Sequence, residues 1–362
     1  MEVSPFPYQG PLEPDQVEGR DELVADLIER VTERRVTALI GPRRYGKTSL
    51  LKRVARDVER TDTSTVWLDL YEVSSAIDLA VRIDDALAAS AGPIRRTASK
   101  LAATLEINLG LLKVGLARRG SRPEPEVLLH SRLDLLVDAA LEHPTVLFID
   151  EFSDIRRVSG FAGLLRTRLQ HHFQDIGLLL AGSAPSVMRT LFTDRAEPFY
   201  GQADLVTVGP LDPGAIAELV DGGFTATGRD PGTLAVLIAD LTGGHPQRTM
   251  QVADAAWRTT EPGVPFTTDT WARALEQVRH ANAAIFERQF ATYSGGEKDV
   301  LRILATGGAV FGRAAALLDV STGVAQHARA QLAAAGDIVE GDDGYRLTDP
   351  LLADWIRHRF PV

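Results

Sequence analysis

A glycine-rich loop carries the strongest chemical signal in the sequence. Residues 41–48 read Gly-Pro-Arg-Arg-Tyr-Gly-Lys-Thr, which fits the pattern G-x-x-x-x-G-K-[ST]. The loop lies between a short apolar run, residues 36–40, and an amphipathic segment, residues 49–60. A strand, a glycine loop and a helix in this order let backbone amides converge on phosphate oxygens at a helix N-terminus. The pattern predicts a nucleotide phosphate site formed by Gly41, Pro42, Arg43, Arg44, Tyr45, Gly46, Lys47, Thr48 and Ser49.

Two carboxylates follow a second apolar run. Residues 146–149 are Val-Leu-Phe-Ile, and Asp150 and Glu151 come directly after them. In a nucleotide site, Lys47 neutralises the β and γ phosphates, while Thr48 and Asp150 hold Mg²⁺. Glu151 then polarises the attacking water as a general base. The acidic pair therefore extends the prediction from nucleotide binding to Mg²⁺-dependent hydrolysis.

Two further positions carry weaker signals. Ser183 follows an apolar run at residues 176–181, where it would contact the γ-phosphate or orient water, although serine is also common in turns. His245 and Pro246 follow two glycines. They are either part of the nucleotide site or a surface histidine before a proline that begins a helix, and the sequence leaves both interpretations open.

The elements that must position these residues alternate between strands and helices in the first part of the chain. This alternation predicts an α/β fold with a mostly parallel sheet that is covered by helices on both faces. The predicted strands are residues 36–40, 66–70, 145–149, 176–181 and 205–208.

From residue 212 onward the pattern is helical. Helices are predicted over 213–220, 231–241 and 248–259, which describe a small helical domain. Ser294 and Glu297 are spaced like a capping box at the start of the last segment. That segment has the pattern of a winged helix, with helices at 300–305, 313–318, 322–335 and 350–359 and two short strands around 341–344. We predict domains at 1–209, 210–290 and 291–362.

The composition excludes several classes of protein. The 362 residues have a net charge of -10, which argues against a globally basic nucleic-acid-binding surface. Cysteine is absent, which excludes a disulfide framework and a thiolate metal site. The sequence has neither a long apolar run nor a basic segment followed by an apolar core at its start. We therefore expect no membrane association and a cytoplasmic location.

One segment has the opposite charge to the whole chain. Residues 94–122 contain seven lysines and arginines against a single acid, Glu106. Such a basic insertion fits contact with a nucleic-acid backbone, with an acidic protein or with a neighbouring subunit, and it also fits a merely solvated surface.

The predicted winged helix is acidic where a DNA-binding domain would be basic. Residues 321–349 contain only two arginines, and phosphate neutralisation supplies most non-specific DNA affinity. We predict that residues 292–362 alone do not bind duplex DNA at about 150 mM salt. The charged residues of this stretch are Arg329 and Arg346 against Asp337, Glu340, Asp342, Asp343 and Asp349.

Seven short motifs occur in order along nearly the whole chain. They are GRDEL (19–23), GPRRYGKTSLL (41–51), LFIDEF (147–152), AGS (181–183), PFYG (198–201), GGHP (243–246) and DPLL (349–352). In this combination the sequence resembles the archaeal-type ATPases, a family of the STAND group of P-loop NTPases that is close to the AAA+ proteins.

The resemblance implies an ASCE-type core in which the strand of the acidic pair adjoins a strand that lies beside the phosphate loop. It also implies a helical lid, a C-terminal winged helix, and ATP and Mg²⁺ as ligands. It places Arg20 and the stretch before it near the adenine, and Pro246 on the base or the ribose. The family often has arginine where this chain has Gln202, so an arginine acting on a neighbouring site would be Arg189 or Arg195.

Three functions remain open from the sequence. The first is an ATP-hydrolysing conformational switch that acts on a protein partner or on its own oligomer. The second is a DNA-bound remodeller of the initiator or transposition-regulator type. The third is a nucleotide-binding module with negligible turnover, which Glu151 disfavours because a mere binder needs no water-polarising acid.

Overall fold

The computed structural model describes residues 2–90, 92–104, 124–310, 316–318, 320–341 and 344–362. A five-stranded parallel sheet with the order β2-β3-β4-β1-β5 organises the first part of the chain. The strand β4 therefore separates β3, which ends in the acidic pair, from β1, which leads into the glycine loop, as the resemblance implied. The strands are β1 (Thr37–Ile40), β2 (Ser64–Asp69), β3 (Thr145–Asp150), β4 (Ile176–Gly182) and β5 (Asp204–Thr207).

Helices cover both faces of this sheet, so β1, β3 and β4 are buried along their whole length. Successive side chains of a strand point to opposite faces. Accordingly Leu147 and Ile149 belong to one apolar cluster, and Val146 and Phe148 belong to another. The helices are α1 (Asp21–Thr32), α2 (Lys47–Glu59), α3 (Ala76–Ala89), α4 (Gly92–Thr104), α5 (Pro125–Leu141), α6 (Phe161–Leu169) and α7 (Pro185–Thr193).

The rest of the chain is helical apart from one antiparallel hairpin. Its helices are α8 (Pro213–Thr225), α9 (Leu234–Thr242), α10 (Pro246–Thr259), α11 (Thr268–Thr292), α12 (Gly295–Ala305), α13 (Thr322–Ala335) and α14 (Pro350–Arg359). The hairpin pairs β6 (Ile338–Gly341) with β7 (Gly344–Leu347) between α13 and α14, which is the arrangement of a winged helix. The predicted capping box is present, because the Glu297 carboxylate accepts a hydrogen bond from the Ser294 backbone N–H at 2.8 Å.

One apolar cluster runs through all of α8 to α14. It includes Phe224 of α8, Val252 of α10, Phe286 of α11 and Ile356 of α14, and Phe6 near the start of the chain joins it. We call this part of the molecule, residues 211–362, the helical half. The sheet and its helices form the α/β half.

The 25-residue helix α11 was missing from the sequence prediction. Its buried residues recur at every fourth position, which is the spacing of one narrow helical face. Two of them are polar, so the apolar periodicity is weak. They are Thr270, Ala274, Val278, Asn282, Phe286 and Phe290.

Some predictions fall wholly or partly outside the described residues. These are most of the basic insertion (105–122), the first part of the helix at 313–318, and the wing acids Asp342 and Asp343. Residues 94–104 of the insertion belong to α4. The domain boundaries stay predictions, and α11 runs across the one at residue 290. Within the described ranges, no helix is long and apolar enough to cross a membrane.

Candidate nucleotide-binding site

A cavity of about 750 Å³ lies where the carboxyl edge of the sheet meets the helical half. The glycine loop and the ends of β3 and β4 form one wall. The N-terminal segment, the start of α10 and the corner between α13 and α14 form the others. Lining residues from these four regions include Lys47, Thr48, Glu151, Ser183, Tyr8, Arg20, Pro246, Gln247, Asp337 and Asp349.

The glycine loop has the backbone shape that its glycines permit. Gly46 caps the N-terminus of α2 with a φ of 83°, in the left-handed region that glycine adopts without strain. A Cβ atom at Gly41 would lie 3.0 Å from the Val208 carbonyl oxygen, so a larger residue would push this backbone away. The loop is therefore held close to the sheet, and α2 begins at Lys47, two residues before the start at residue 49 that the sequence predicted.

Lys47 is only 6% exposed. Its ammonium group donates hydrogen bonds to the carbonyl oxygens of Gly41 at 2.8 Å and Pro42 at 2.7 Å. Burial lowers the pKa of Lys47 to about 8, although the charges of Glu151 and Asp150 act against this shift. The loop thus holds a desolvated positive charge, which interacts more strongly with phosphate than an exposed one does.

Thr48 and Asp150 are joined directly. The Thr48 hydroxyl donates to Asp150 Oδ2 at 2.7 Å, and the Glu151 backbone N–H donates to Asp150 Oδ1 at 3.0 Å. Burial raises the pKa of Asp150, while the hydrogen bond from Thr48 opposes the rise. A hydroxyl and a carboxylate are hard oxygen donors, and Mg²⁺ usually takes one or two protein ligands beside phosphates and water. These two residues fit that ion.

Glu151 is fixed by Ser183. The Ser183 hydroxyl donates to Glu151 Oε2 at 2.6 Å, and the Ser183 backbone N–H donates to the same oxygen at 3.3 Å. Glu151 itself has a φ of 49°, which is uncommon for a residue with a side chain and is concentrated at functional sites. Ser183 was predicted to contact the γ-phosphate or to orient water. In the structure it positions the Glu151 carboxylate.

Two other predicted residues hold neighbouring segments in place. The Arg20 guanidinium donates to the carbonyl oxygens of Gly209 at 2.6 Å and Pro210 at 3.3 Å, and burial lowers its pKa. The Ser49 hydroxyl accepts a hydrogen bond from the Leu12 backbone N–H at 2.9 Å. Both residues also line the cavity, so each one borders the cavity and holds a neighbouring segment in place.

His245 is buried, at 3% exposure, which excludes the interpretation as a surface histidine. Its Nδ1 accepts from the Arg248 backbone N–H at 3.3 Å and caps α10, and its ring meets the Tyr45 ring edge-on at 4.8 Å between centroids. Burial lowers the pKa of His245 to about 4. Pro246 is the first residue of α10 and lines the cavity. The glycine loop and α10 are therefore in direct contact.

Sequence reasoning missed an ion pair beside this contact. Arg248 of α10 is 4% exposed and donates to both carboxylate oxygens of Asp349, with Nε at 3.0 Å from Oδ1. Asp349 also caps α14, because it accepts from the Leu351 backbone N–H at 3.1 Å. Asp349 is the first residue of the DPLL motif, and Arg248 lies two positions after the GGHP motif. These two motifs are the sequence signal that could have drawn attention to the pair. The pair links α10 to the winged helix at the rim of the cavity.

No family model matches the sequence, and no curated protein sequence matches it. Solved structures match over nearly the whole chain. A Walker-type ATPase of Pyrococcus abyssi aligns with a TM-score of 0.68 at 19% identity, over 98% of this chain and 99% of that chain. The fold is that of an α/β P-loop ATPase.

Two ORC proteins of Aeropyrum pernix also share this fold. The ORC2 protein in ADPNP and ADP complexes has a TM-score of 0.58 at 15% identity, over 98% of this chain and 96% of that chain. The ORC1 protein in complex with DNA has a TM-score of 0.50 at 13% identity, over 95% and 93%. The low identities limit the likeness to the fold, so the function must be argued from the site.

Proposed function

We propose that this protein is a Mg²⁺-dependent ATPase that works as a conformational switch on a protein partner or on its own oligomer. The observation that carries the proposal is the convergence of Lys47, the Thr48–Asp150 pair and the Ser183–Glu151 pair on one sheet edge. All three face a cavity whose other walls belong to the helical half and the N-terminal segment.

Each group has a defined task in ATP hydrolysis. The amides at the start of α2 and the Lys47 ammonium bind the β and γ phosphates. Thr48 and Asp150 would hold Mg²⁺, which would supply charge neutralisation at the phosphates. Glu151 accepts the proton of the attacking water, and Ser183 keeps its carboxylate in place. The N-terminal segment, Arg20 and Pro246 surround the adenosine end.

The switch follows from the composition of the cavity wall. A nucleotide bound to the glycine loop also meets α10 and the corner between α13 and α14, because all three border the same cavity. Binding therefore favours the arrangement in which the two halves are close, and hydrolysis removes part of the contact. We also assign the protein to the STAND type of this fold, on the sequence motifs that resemble that group. We assign it to the cytoplasm, on the composition of the sequence.

A second candidate function is a DNA-bound remodeller. One of the solved structures with the same fold is the ORC1 protein in complex with DNA. The ATPase chemistry would be unchanged, and only the target of the movement would differ. A nucleotide-binding module without turnover is disfavoured, because the hydrogen bond from Ser183 to Glu151 positions a base that such a module does not use.

The experiment that tests the proposal compares the parent with Glu151→Gln in phosphate release and in ATP binding by calorimetry. We expect Mg²⁺-dependent release by the parent, and a loss of about 10²-fold or more in the variant, with ATP affinity retained. Glu142→Gln, at an exposed position after α5, is the matched control and should hydrolyse at the parental rate. Equal rates for parent and Glu151→Gln would refute the assignment.

A further inference from the structure

The helical half has a groove on its surface, lined by residues other than those of the nucleotide cavity. It has a volume of about 630 Å³ and lies between α11 and α14. Three arginines and a single acid line it, in a chain whose net charge is -10. The lining residues are Arg273, Glu276, Gln277, Arg279, His280, Ala283, Trp355, His358 and Arg359.

Two of these arginines form no salt bridge with any described residue. Arg279 is paired with Asp354, with Nε 2.8 Å from Oδ2 and Nη2 3.1 Å from Oδ1. Arg273 and Arg359 are exposed, and within the described part of the chain neither forms a salt bridge. They border the groove from different helices, so an anion in the groove can meet both.

Trp355 gives the groove an aromatic wall. The indole is partly buried and contacts three other rings, with centroids 5.7 Å from Phe290 and 5.6 Å from Phe360 in edge-on geometry and 6.2 Å from Phe286 in a tilted one. Packing against these rings fixes its orientation. The groove thus combines cationic side chains with a rigid aromatic surface.

The region that usually reads DNA in a winged helix lacks such a surface. Within its described residues, 321–341 and 344–349, the cations are Arg329 and Arg346. Arg329 lies over the Tyr345 ring, 5.1 Å from its centroid. Burial raises the pKa of the Tyr45 phenol in the nucleotide cavity, and Arg346 lies close enough for its charge to oppose that rise. Phosphate contacts supply most of the affinity for nucleic acid, so the groove is the better site.

We propose that the groove between α11 and α14 binds single-stranded nucleic acid, with Arg273 and Arg359 on phosphates and a base against Trp355. A cationic groove that tracks the backbone, together with aromatic side chains for the bases, is the pattern by which proteins bind single strands without sequence preference. A duplex hides the faces of its bases, so a single strand makes better use of an indole beside two cationic side chains. The proposal does not depend on ATP hydrolysis.

The test measures binding of a labelled thymidine oligonucleotide to the full chain by fluorescence anisotropy between 50 and 200 mM salt. Each lost phosphate contact with a single strand removes about 0.7 from the slope of log K against log salt. We expect the double variant Arg273→Gln, Arg359→Gln to flatten that slope by about 1.4. The control Arg288→Gln, Arg357→Gln removes two exposed arginines from the same two helices outside the groove, and should keep the parental slope.

A second measurement isolates the aromatic wall by changing the ligand and not the protein. An abasic oligonucleotide of the same length should bind about fivefold more weakly or worse, because stacking is lost while the phosphates remain. Three results would overturn the proposal: no binding by the parent at 50 mM salt, an equal effect of the groove and control variants, or equal affinity for abasic and thymidine strands. Preference for a duplex or for a glutamate-rich peptide would also contradict it.

Discussion

The two halves of the molecule bury their apolar residues in different ways. In the α/β half, two separate clusters lie on opposite faces of one sheet, and the residues with chemistry stand at the sheet edge between them. In the helical half, a single cluster continues from α8 to α14 through the predicted lid and the predicted winged helix. Because close-packed interiors resist deformation, we expect each half to behave as a rigid body.

The contacts between the halves are of another kind. They include the ring contact between Tyr45 and His245, and Arg20 holds the connection between the halves by donating hydrogen bonds to the carbonyl groups of residues 209 and 210. The N-terminal segment, which forms one wall of the cavity, contacts both halves. Phe6 packs in the apolar cluster of the helical half, and the Leu12 backbone N–H donates a hydrogen bond to the Ser49 hydroxyl of α2. In the proposed function, the α/β half carries out the nucleotide chemistry and the helical half responds to it, and the cavity lies where the two halves meet.

The largest effect among the remaining predictions is the loss of nucleotide affinity in Lys47→Ala. Charge-assisted hydrogen bonds to phosphate are worth about 1.5–3 kcal/mol, so ATP affinity should fall by about 10- to 100-fold or more in calorimetry. Lys52→Ala removes a lysine of the same helix that pairs with Glu13 at 3.5 Å, and should leave the affinity unchanged. Parental affinity in Lys47→Ala would remove the phosphate site from the α/β half.

The pH dependence of ATP binding is a second test of the role of the Lys47 charge. Burial lowers the pKa of Lys47 to about 8 in the free protein, and bound phosphate favours the charged form. Binding therefore takes up a proton above pH 8, and the affinity for ATP should fall there by up to about tenfold per pH unit. Calorimetry at pH 7, 8 and 9 measures this dependence, and Lys47→Ala should lose it. A flat profile for the parent would contradict the assignment of the charge.

A further prediction concerns His245, which caps α10 at the contact between the two halves. His245→Ala should lower the free energy of unfolding by about 0.5–2 kcal/mol, while His245→Asn, which retains a capping acceptor, should lose less. Chemical denaturation measures both. Parental stability in His245→Ala would show that the cap is unimportant.

The same side chain predicts that stability depends on pH. The pKa of His245 is lowered from 6.5 to about 4 in the folded protein, so the unfolded chain takes up this proton first as the pH falls. The parent should therefore lose stability relative to His245→Asn between pH 6.5 and 4, and the difference should be constant above pH 7. A difference that does not change over this range would contradict a buried, neutral histidine.

The sequence predicted the α/β half well because its signals are local. A run such as 176–181 buried on both faces, followed by a polar residue, identifies a strand and its exit without knowledge of its neighbours. The loop residues and the acidic pair could be placed for the same reason. The partner of Ser183 could not, because its contact with Glu151 depends on which strands are neighbours.

The helical half was harder to predict because its key contacts are long-range. Arg248 and Asp349 are 101 positions apart, and no local pattern pairs them. Helix α11 buries polar residues such as Asn282, which satisfies its amide within the helix by donating to the Val278 carbonyl at 2.7 Å. The apolar periodicity of α11 is therefore weak in the sequence. That the lid and the winged helix share one cluster is a property of packing between helices, which no single segment encodes.

The most direct test of the switch is a set of distances measured between spin labels. The chain has no cysteine, so pairs introduced at exposed sites can be labelled selectively. One pair, Thr167→Cys and Gln326→Cys, joins the two halves, and another, Val236→Cys and Gln326→Cys, lies within the helical half. In a Glu151→Gln background, we predict that the first distance differs between the ATP and ADP complexes while the second stays constant. An unchanged first distance, or a change confined to the second, would contradict the account.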